Sequence, residues 1–301
     1  MNYSYNVSFL IKLIASSVLL FSSMAVMGEE NASYICQTLA SEKVREFSQQ
    51  ELDAAMPVPL PKIKLDQDLL SELNELRAVG NEPDGIPKKL DSGQKPWKYA
   101  GKLFMTTDAG LASCTAQFID KNLLVTAAHC VFQSVGQRKF YTDIQFYQHY
   151  KGTKKSEHFY TPVAVGLMQA YSDAGGNAAA QVTYDYAYIK TAKHSENKEH
   201  FKVASPPEEG KEIRSIGYPN DLDNGDHLYG NIGRMYVGKR LNYYLAGPSG
   251  MTAGSSGGAW VREGAIRAIH SGMASEVSFE VGPAIYEMGA LINYVLNDCS
   301  G

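Results

Sequence analysis

The chain is poor in cysteine and poorer in tryptophan, with four and two residues among 301. Cys36, Cys114, Cys130 and Cys299 form no CxxC pair, which removes the usual zinc-site spacing. No long basic run is present and the net charge is -4, so nucleic acid is not an expected partner. Beyond the N-terminus no apolar run reaches transmembrane length. There is no internal repeat and no low-complexity tract, which leaves out repeat arrays. What is present is ordinary for a folded globular chain: 44% hydrophobic and 20% charged residues. Twenty-seven glycines and 19 tyrosines favour a β-rich fold with many turns.

Lys12 precedes an apolar stretch over residues 13–27, and Gly28, Glu29 and Glu30 follow it. That pattern predicts a signal peptide over 1–28, cleaved near Met27 or Gly28. An uncleaved anchor fits less well, because Ser16, Ser17, Ser22 and Ser23 interrupt the run. The expected location is therefore extracellular or periplasmic, with no stable membrane association once the signal is removed. Disulfides persist in such compartments, and four cysteines allow three pairings, which spacing alone leaves open.

Residues 29–95 read as a pro-segment or N-terminal extension. "MPVPLPKIK" carries three prolines and predicts an extended linker. In "DQDLLSELNELRAVG", Leu69, Leu70, Leu73 and Leu76 fall at helical spacing, with Asp66 as N-cap and Gly80 as stop. "NEPDGIPKKLDSGQKPWK" reads as an exposed connector open to proteolysis, with candidate sites between Lys88 and Lys98. From there, over 96–301, short apolar runs alternate with turns, among them "KLFMTT", "NLLVTAA", "VAVGLMQAY", "IRSIGYP" and "GPAIYEMGA". Such spacing predicts an all-β sandwich or barrel, and "GALINYVLND" a short closing helix.

Chemistry is concentrated in three stretches. "MTAGSSGGAW" places two serines among glycines that no helix or strand would choose. A serine hydroxyl needs a histidine base, and that base needs a carboxylate to orient it. "LLVTAAHC" offers His129 just past an apolar strand, and "YDYAYIK" offers Asp185 at the mouth of another. The other histidines, at 149, 158, 194, 200 and 227, lie in no such setting. Alone, each motif is an ordinary loop or strand end. The string G-x-S-x-G also fits the nucleophile elbow of α/β-hydrolases. That reading fails on order, because only His270 follows the serine, with Glu263 the only carboxylate between them.

"CTAQFIDKNLLVTAAHC", "YDYAYIK" and "GSSGG", in that order, resemble the chymotrypsin-like serine proteases. "GKLFMT", "SIGYP" and "MTAGSSGGAW" are similar to the bacterial glutamyl endopeptidase branch. The resemblance spans residues 97–297 and implies two packed six-stranded antiparallel β-barrels with a short C-terminal helix, preceded by the partly helical extension. It implies Ser256 as nucleophile, His129 as base and Asp185 as its orienting acid, with Gly254 and Ser256 N–H groups as the oxyanion hole. It implies a Cys114–Cys130 bond bracing the histidine loop, and with it a Cys36–Cys299 bond tethering the extension. No metal or cofactor is called for, and the implied partners are protein or peptide substrates.

The resemblance is not complete. Gly250 stands where trypsin-like enzymes carry the aspartate that selects Lys or Arg. His270 stands where the glutamyl branch meets an acidic side chain, and Ser271, Gly272 and Met273 follow along the substrate path. These positions imply cleavage after Glu or Asp. Met251, however, replaces a threonine donor of that branch, so an apolar pocket is the runner-up. Ser255 replaces the aspartate that pairs with a new N-terminus in trypsin-type zymogens, so any maturation works differently. A catalytically silent binding module is the competing class, although every triad and oxyanion position is retained.

Overall fold

The computed structural model describes residues 33–39, 45–79, 83–205, 209–237, 243–274, 276–285 and 289–300. The signal-peptide segment 1–28 and the helix stop at Gly80 lie outside them. Two antiparallel sheets dominate. Along the first, the strands are ordered Pro162–Met168, Ala187–Thr191, Leu123–Thr126, Gly110–Asp120, Ala100–Thr107, Thr142–Gln148 and Phe159–Tyr160. The last of these runs through Thr161 directly into the first, so one bent strand joins both ends. Six strands thus curl into a barrel. Its centre is aromatic: Phe118 packs edge-on against Phe146 and Tyr160, with ring centroids 5.5 and 5.0 Å away.

The second barrel follows the same rule. Its order is Ala265–Ile269, Ala259–Arg262, Glu212–Gly217, Tyr229–Tyr236, Tyr244–Gly247, Phe279–Gly282 and Gly272–Ala274. Here the joining strand bends at His270 and Ser271, two of the residues singled out in the sequence. A short helix, Gly289–Leu296, closes the chain, burying Leu291 and Val295. The all-β, two-barrel expectation holds.

The N-terminal region departs from its reading as linkers. Its helix forms as the leucine spacing dictates, over Gln67–Val79, and Asp66 Oδ1 accepts the Leu69 N–H at 2.8 Å. Yet Leu69 and Leu73 share a buried cluster with Ile63, Leu65, Leu245, Phe279 and Val281 of the second barrel. Tyr34–Thr38 pairs antiparallel with Pro162–Met168, and Lys88–Lys89 with Tyr229–Tyr236. The proline-rich stretch is extended, as proline requires. It is docked rather than free, with Met56–Pro57 parallel to Gly110–Asp120 and Lys62–Ile63 parallel to Gly272–Ala274. With these additions, and with Lys202–Val203 parallel to Ala265–Ile269, the sheets reach nine and ten strands.

Two further differences are local. "VAVGLMQAY" is a strand only to Met168; Gln169–Asp173 is helical and carries the buried Tyr171. Of "GPAIYEMGA", only Gly282 belongs to a strand among the described residues; it ends Phe279–Gly282, and 283–285 do not continue it. Pro283 has no N–H to continue the ladder.

Cys114–Cys130 and Cys36–Cys299 are both bonded, with Cα atoms 6.1 and 5.5 Å apart. The first closes a short loop, of sequence separation 16. Replacing both Cys114 and Cys130 by alanine is expected to lower the unfolding free energy by about 3 kcal/mol, measured by urea titration. An unchanged midpoint would show that the histidine loop is held by its packing alone.

Candidate active site

His129 lies on a single 3-10 turn, Ala128–Cys130, reached directly from the buried strand Leu123–Thr126. Asp185 follows the helix Ala178–Thr183 and precedes the strand Ala187–Thr191. That strand pairs with Leu123–Thr126, so the ladder itself brings the two side chains together. His129 Nδ1 lies 2.6 Å from Asp185 Oδ2, and the His129 backbone N–H donates to Oδ1 at 2.8 Å. The Ser271 hydroxyl donates to Oδ2 as well. Three donors satisfy a carboxylate that is almost fully buried, which is the condition for keeping it charged there. The Tyr171 hydroxyl, pushed far up by burial and by the Asp185 charge, stays neutral beside it.

Ser256 belongs to the second barrel, but its loop is stitched to both. Its carbonyl accepts the Thr115 N–H at 2.8 Å, across from the first barrel. Gly257 N–H donates to the His270 carbonyl at 2.7 Å, and His270 N–H to the Gly258 carbonyl at 2.8 Å. Gly254 has φ +97, and a Cβ there would lie 2.4 Å from the Tyr218 carbonyl oxygen. Only glycine fits both constraints. Its carbonyl is held by the Thr115 hydroxyl at 2.9 Å, which fixes the peptide plane. Among the described residues, the Gly254 and Ser256 N–H groups give no hydrogen bond. Two unengaged amides on one tight turn can receive an oxyanion.

Ser256 Oγ and His129 Nε2 are both buried and without a hydrogen-bond partner. The base–acid contact is therefore formed, while the nucleophile–base contact is not. Cys114, Cys130 and His129 come close enough to suggest metal ligands, but both sulfurs are committed to their disulfide. A separate groove of about 1130 Å³, lined by Lys95, Trp97, Arg214, Lys202 and Arg262, contains none of these residues.

Of the predicted pocket residues, Met251, His270 and Ser271 are fully buried. Gly250 faces the extension, where an added Cβ would meet Pro87 Cδ at 2.8 Å and the Gly85 oxygen at 3.0 Å. Ser255 is also buried, with its hydroxyl unpartnered, so no ion pair is built at that position. Sequence reasoning missed Glu280. It is a buried carboxylate 2.9 Å from His270 Nδ1.

It also missed a stretch of the N-terminal region that bridges the two barrels. Val58 N–H donates to the Ser113 carbonyl at 3.1 Å, on the strand whose Thr115 holds Ser256. Three residues on, the Pro61 carbonyl accepts the Met273 N–H at 2.9 Å. The chain from Val58 to Pro61 is therefore anchored to both barrels, on strands that carry the site. At Gly272 an added Cβ would lie 2.5 Å from the Pro61 oxygen, so the approach is close.

The Trypsin family matches residues 89–287. Among solved structures, the protease Anisep from Arthrobacter nicotinovorans is similar at 22% identity, covering 71% of this chain and all of that one, with a TM-score of 0.56. A Glu endopeptidase in complex with MPD covers 74% of this chain and 99% of its own, at 19% identity and a TM-score of 0.57. An inactivated protease paralogue from the scabies mite shares the fold as well, at 15% identity, with coverage of 70% and 98% and a TM-score of 0.52. No curated protein matches.

Proposed function

The chain belongs to the trypsin family, a family of serine proteases, and on that premise we propose that it is an exported endopeptidase working through an acyl-enzyme. Ser256 attacks the scissile carbonyl, and His129 takes the hydroxyl proton at Nε2. Asp185 holds the imidazole so that Nδ1 keeps its proton, and the Gly254 and Ser256 amides receive the oxyanion. His129 then protonates the leaving amine, and water releases the acyl group by the same steps in reverse. The observation that carries this reading is the doubly anchored Asp185–His129 pair next to a turn with two unengaged amides.

For specificity, His270 in the pocket wall favours an acidic side chain, cleaving after Glu or Asp. The buried Met251 supports the rival apolar preference. For maturation, residues 29–95 act as a pro-segment whose stretch 58–61 shields the site until it is displaced. A catalytically silent binding module is the second reading, favoured by the missing Ser256–His129 hydrogen bond.

Labelling with a fluorophosphonate probe, followed by peptide mapping, separates the two. The processed chain is expected to label at Ser256, and Ser256→Ala not to label at all. Failure to label before and after processing would give the binding module the lead.

A further inference from the structure

Glu280 takes no part in the proposed mechanism, yet it is one of the most elaborately held carboxylates in the molecule. It lies on Phe279–Gly282 with 1% of its surface exposed. Phe279 and Val281, its neighbours, join the outer apolar cluster, so the alternation of the strand turns Glu280 the other way, into the barrel. Oε2 accepts the Trp260 indole N–H at 2.6 Å and lies 2.9 Å from His270 Nδ1. Oε1 accepts the Ser215 hydroxyl at 2.6 Å and the Ser249 hydroxyl. Ser215 and Trp260 lie on two different strands, His270 at the bend between Ala265–Ile269 and Gly272–Ala274, and Ser249 on the segment leading to Ser256. Burial alone would push the carboxyl up. The His270 charge, together with hydrogen bonds from Ser215 and Ser249, outweighs burial and holds it below its ordinary value.

The geometry at His270 follows from this. Nδ1 lies 2.9 Å from Glu280 Oε2, a close contact out of hydrogen-bond alignment, while Nε2 is buried with no partner at all. Among the described residues seen to touch the carboxylate, Trp260, Ser215 and Ser249 are neutral, and His270 is the ionisable partner. An imidazole held by a carboxylate at one nitrogen presents an N–H in a fixed direction at the other, as metal-binding and triad histidines do. Such a group, buried and unmatched, suits a substrate side chain that brings an anionic acceptor.

We propose that Glu280 is the positioning residue of the substrate pocket. It fixes the His270 ring so that Nε2 meets the carboxylate of a Glu or Asp side chain at the cleavage site. This rests on the acidic-specificity reading of the proposed function. Glu280 does not touch the substrate; it sets the direction of the group that does.

The test uses two peptides that differ only in Glu or Gln at the residue before the cleaved bond. Their ratio of kcat/KM in the processed protein reads the pocket charge and is blind to general damage. In wild type the Glu peptide is expected to be preferred. In Glu280→Gln the ratio is expected to fall roughly 10–100-fold, the scale of a hydrogen bond to a charged group. The Gln peptide is expected to lose less than the Glu peptide. Should Glu280→Gln fail to fold, as shown by loss of fluorophosphonate labelling, Ser249→Ala removes one of its donors and should lower the same ratio by several-fold. Wild type with no preference for Glu would overturn the acidic-specificity reading and this proposal with it. A preference that survives in Glu280→Gln, or in Ser249→Ala where only that variant folds, would overturn the role of Glu280 alone. An equal fall for both peptides would also overturn it, leaving Glu280 a packing residue.

Discussion

Asp185→Asn is expected to lower kcat by about 10⁴-fold with little change in KM. The carboxylate accepts from the His129 main chain, His129 Nδ1 and Ser271 at once, and an amide cannot accept from all three. If the amide oxygen keeps the main-chain bond, its NH₂ faces Nδ1, and the imidazole must place its proton on Nε2. That nitrogen can then no longer take the proton of Ser256. Ground-state binding of the peptide depends on other groups, so KM is spared, and the split between kcat and KM reads the tautomer directly. The variant should also fold, because the main-chain bond survives and asparagine has nearly the same volume. Steady-state kinetics on the processed protein checks this. A loss of less than tenfold would mean that Asp185 is a structural acid, and that another group orients His129.

Much of this arrangement is legible in the amino-acid sequence, and the reason is local. A nucleophile loop needs glycine where φ is positive and a Cβ would strike a neighbour, and Gly254 and Gly257 report that need in the sequence itself. His129 and Asp185 sit at the ends of apolar strands, and strand ends are readable. Glu280 is not legible. "FEVG" alternates like a half-exposed strand with its charge outward, whereas here the charged side faces the barrel interior. Only the tertiary arrangement of Trp260, Ser215, Ser249 and His270 reveals the difference. The helix Ala178–Thr183 does leave a signal: Asn177 caps it, accepting the Ala180 N–H at 3.2 Å, ahead of three alanines. The proline-rich stretch announces its extended shape but not its docking partner. Proline fixes a backbone angle, while the choice of edge is made by residues distant in sequence.

That docking leads to the second large effect. The intact chain is expected to hydrolyse peptides at about 1% or less of the uncovered rate, and Val58→Asp combined with Ile63→Asp to raise this about 100-fold, since a shift of that size needs only ~3 kcal/mol. Val58 opens the stretch and Ile63 lies two residues past its end; both are buried, Ile63 in the cluster that packs on the second barrel. Burying an unpaired carboxylate at either place costs several kcal/mol in practice, and undocking relieves it. The stretch occupies the Met273 N–H, and if a substrate strand uses the same donor, as proposed for residues 271–273, undocking and access become one event. A cut between Lys88 and Lys98 should do less than it does in a simple zymogen. The Cys36–Cys299 bond keeps the severed segment attached, and a tethered occupant faces its site at an effective concentration on the order of millimolar. Full activity in the cut chain should therefore require a second cut within the covering stretch, or reduction of that disulfide. Rates for the intact chain, the cut chain, the cut and reduced chain and the double variant order these contributions. An intact wild-type chain as active as the double variant would mean that residues 58–61 do not block the site.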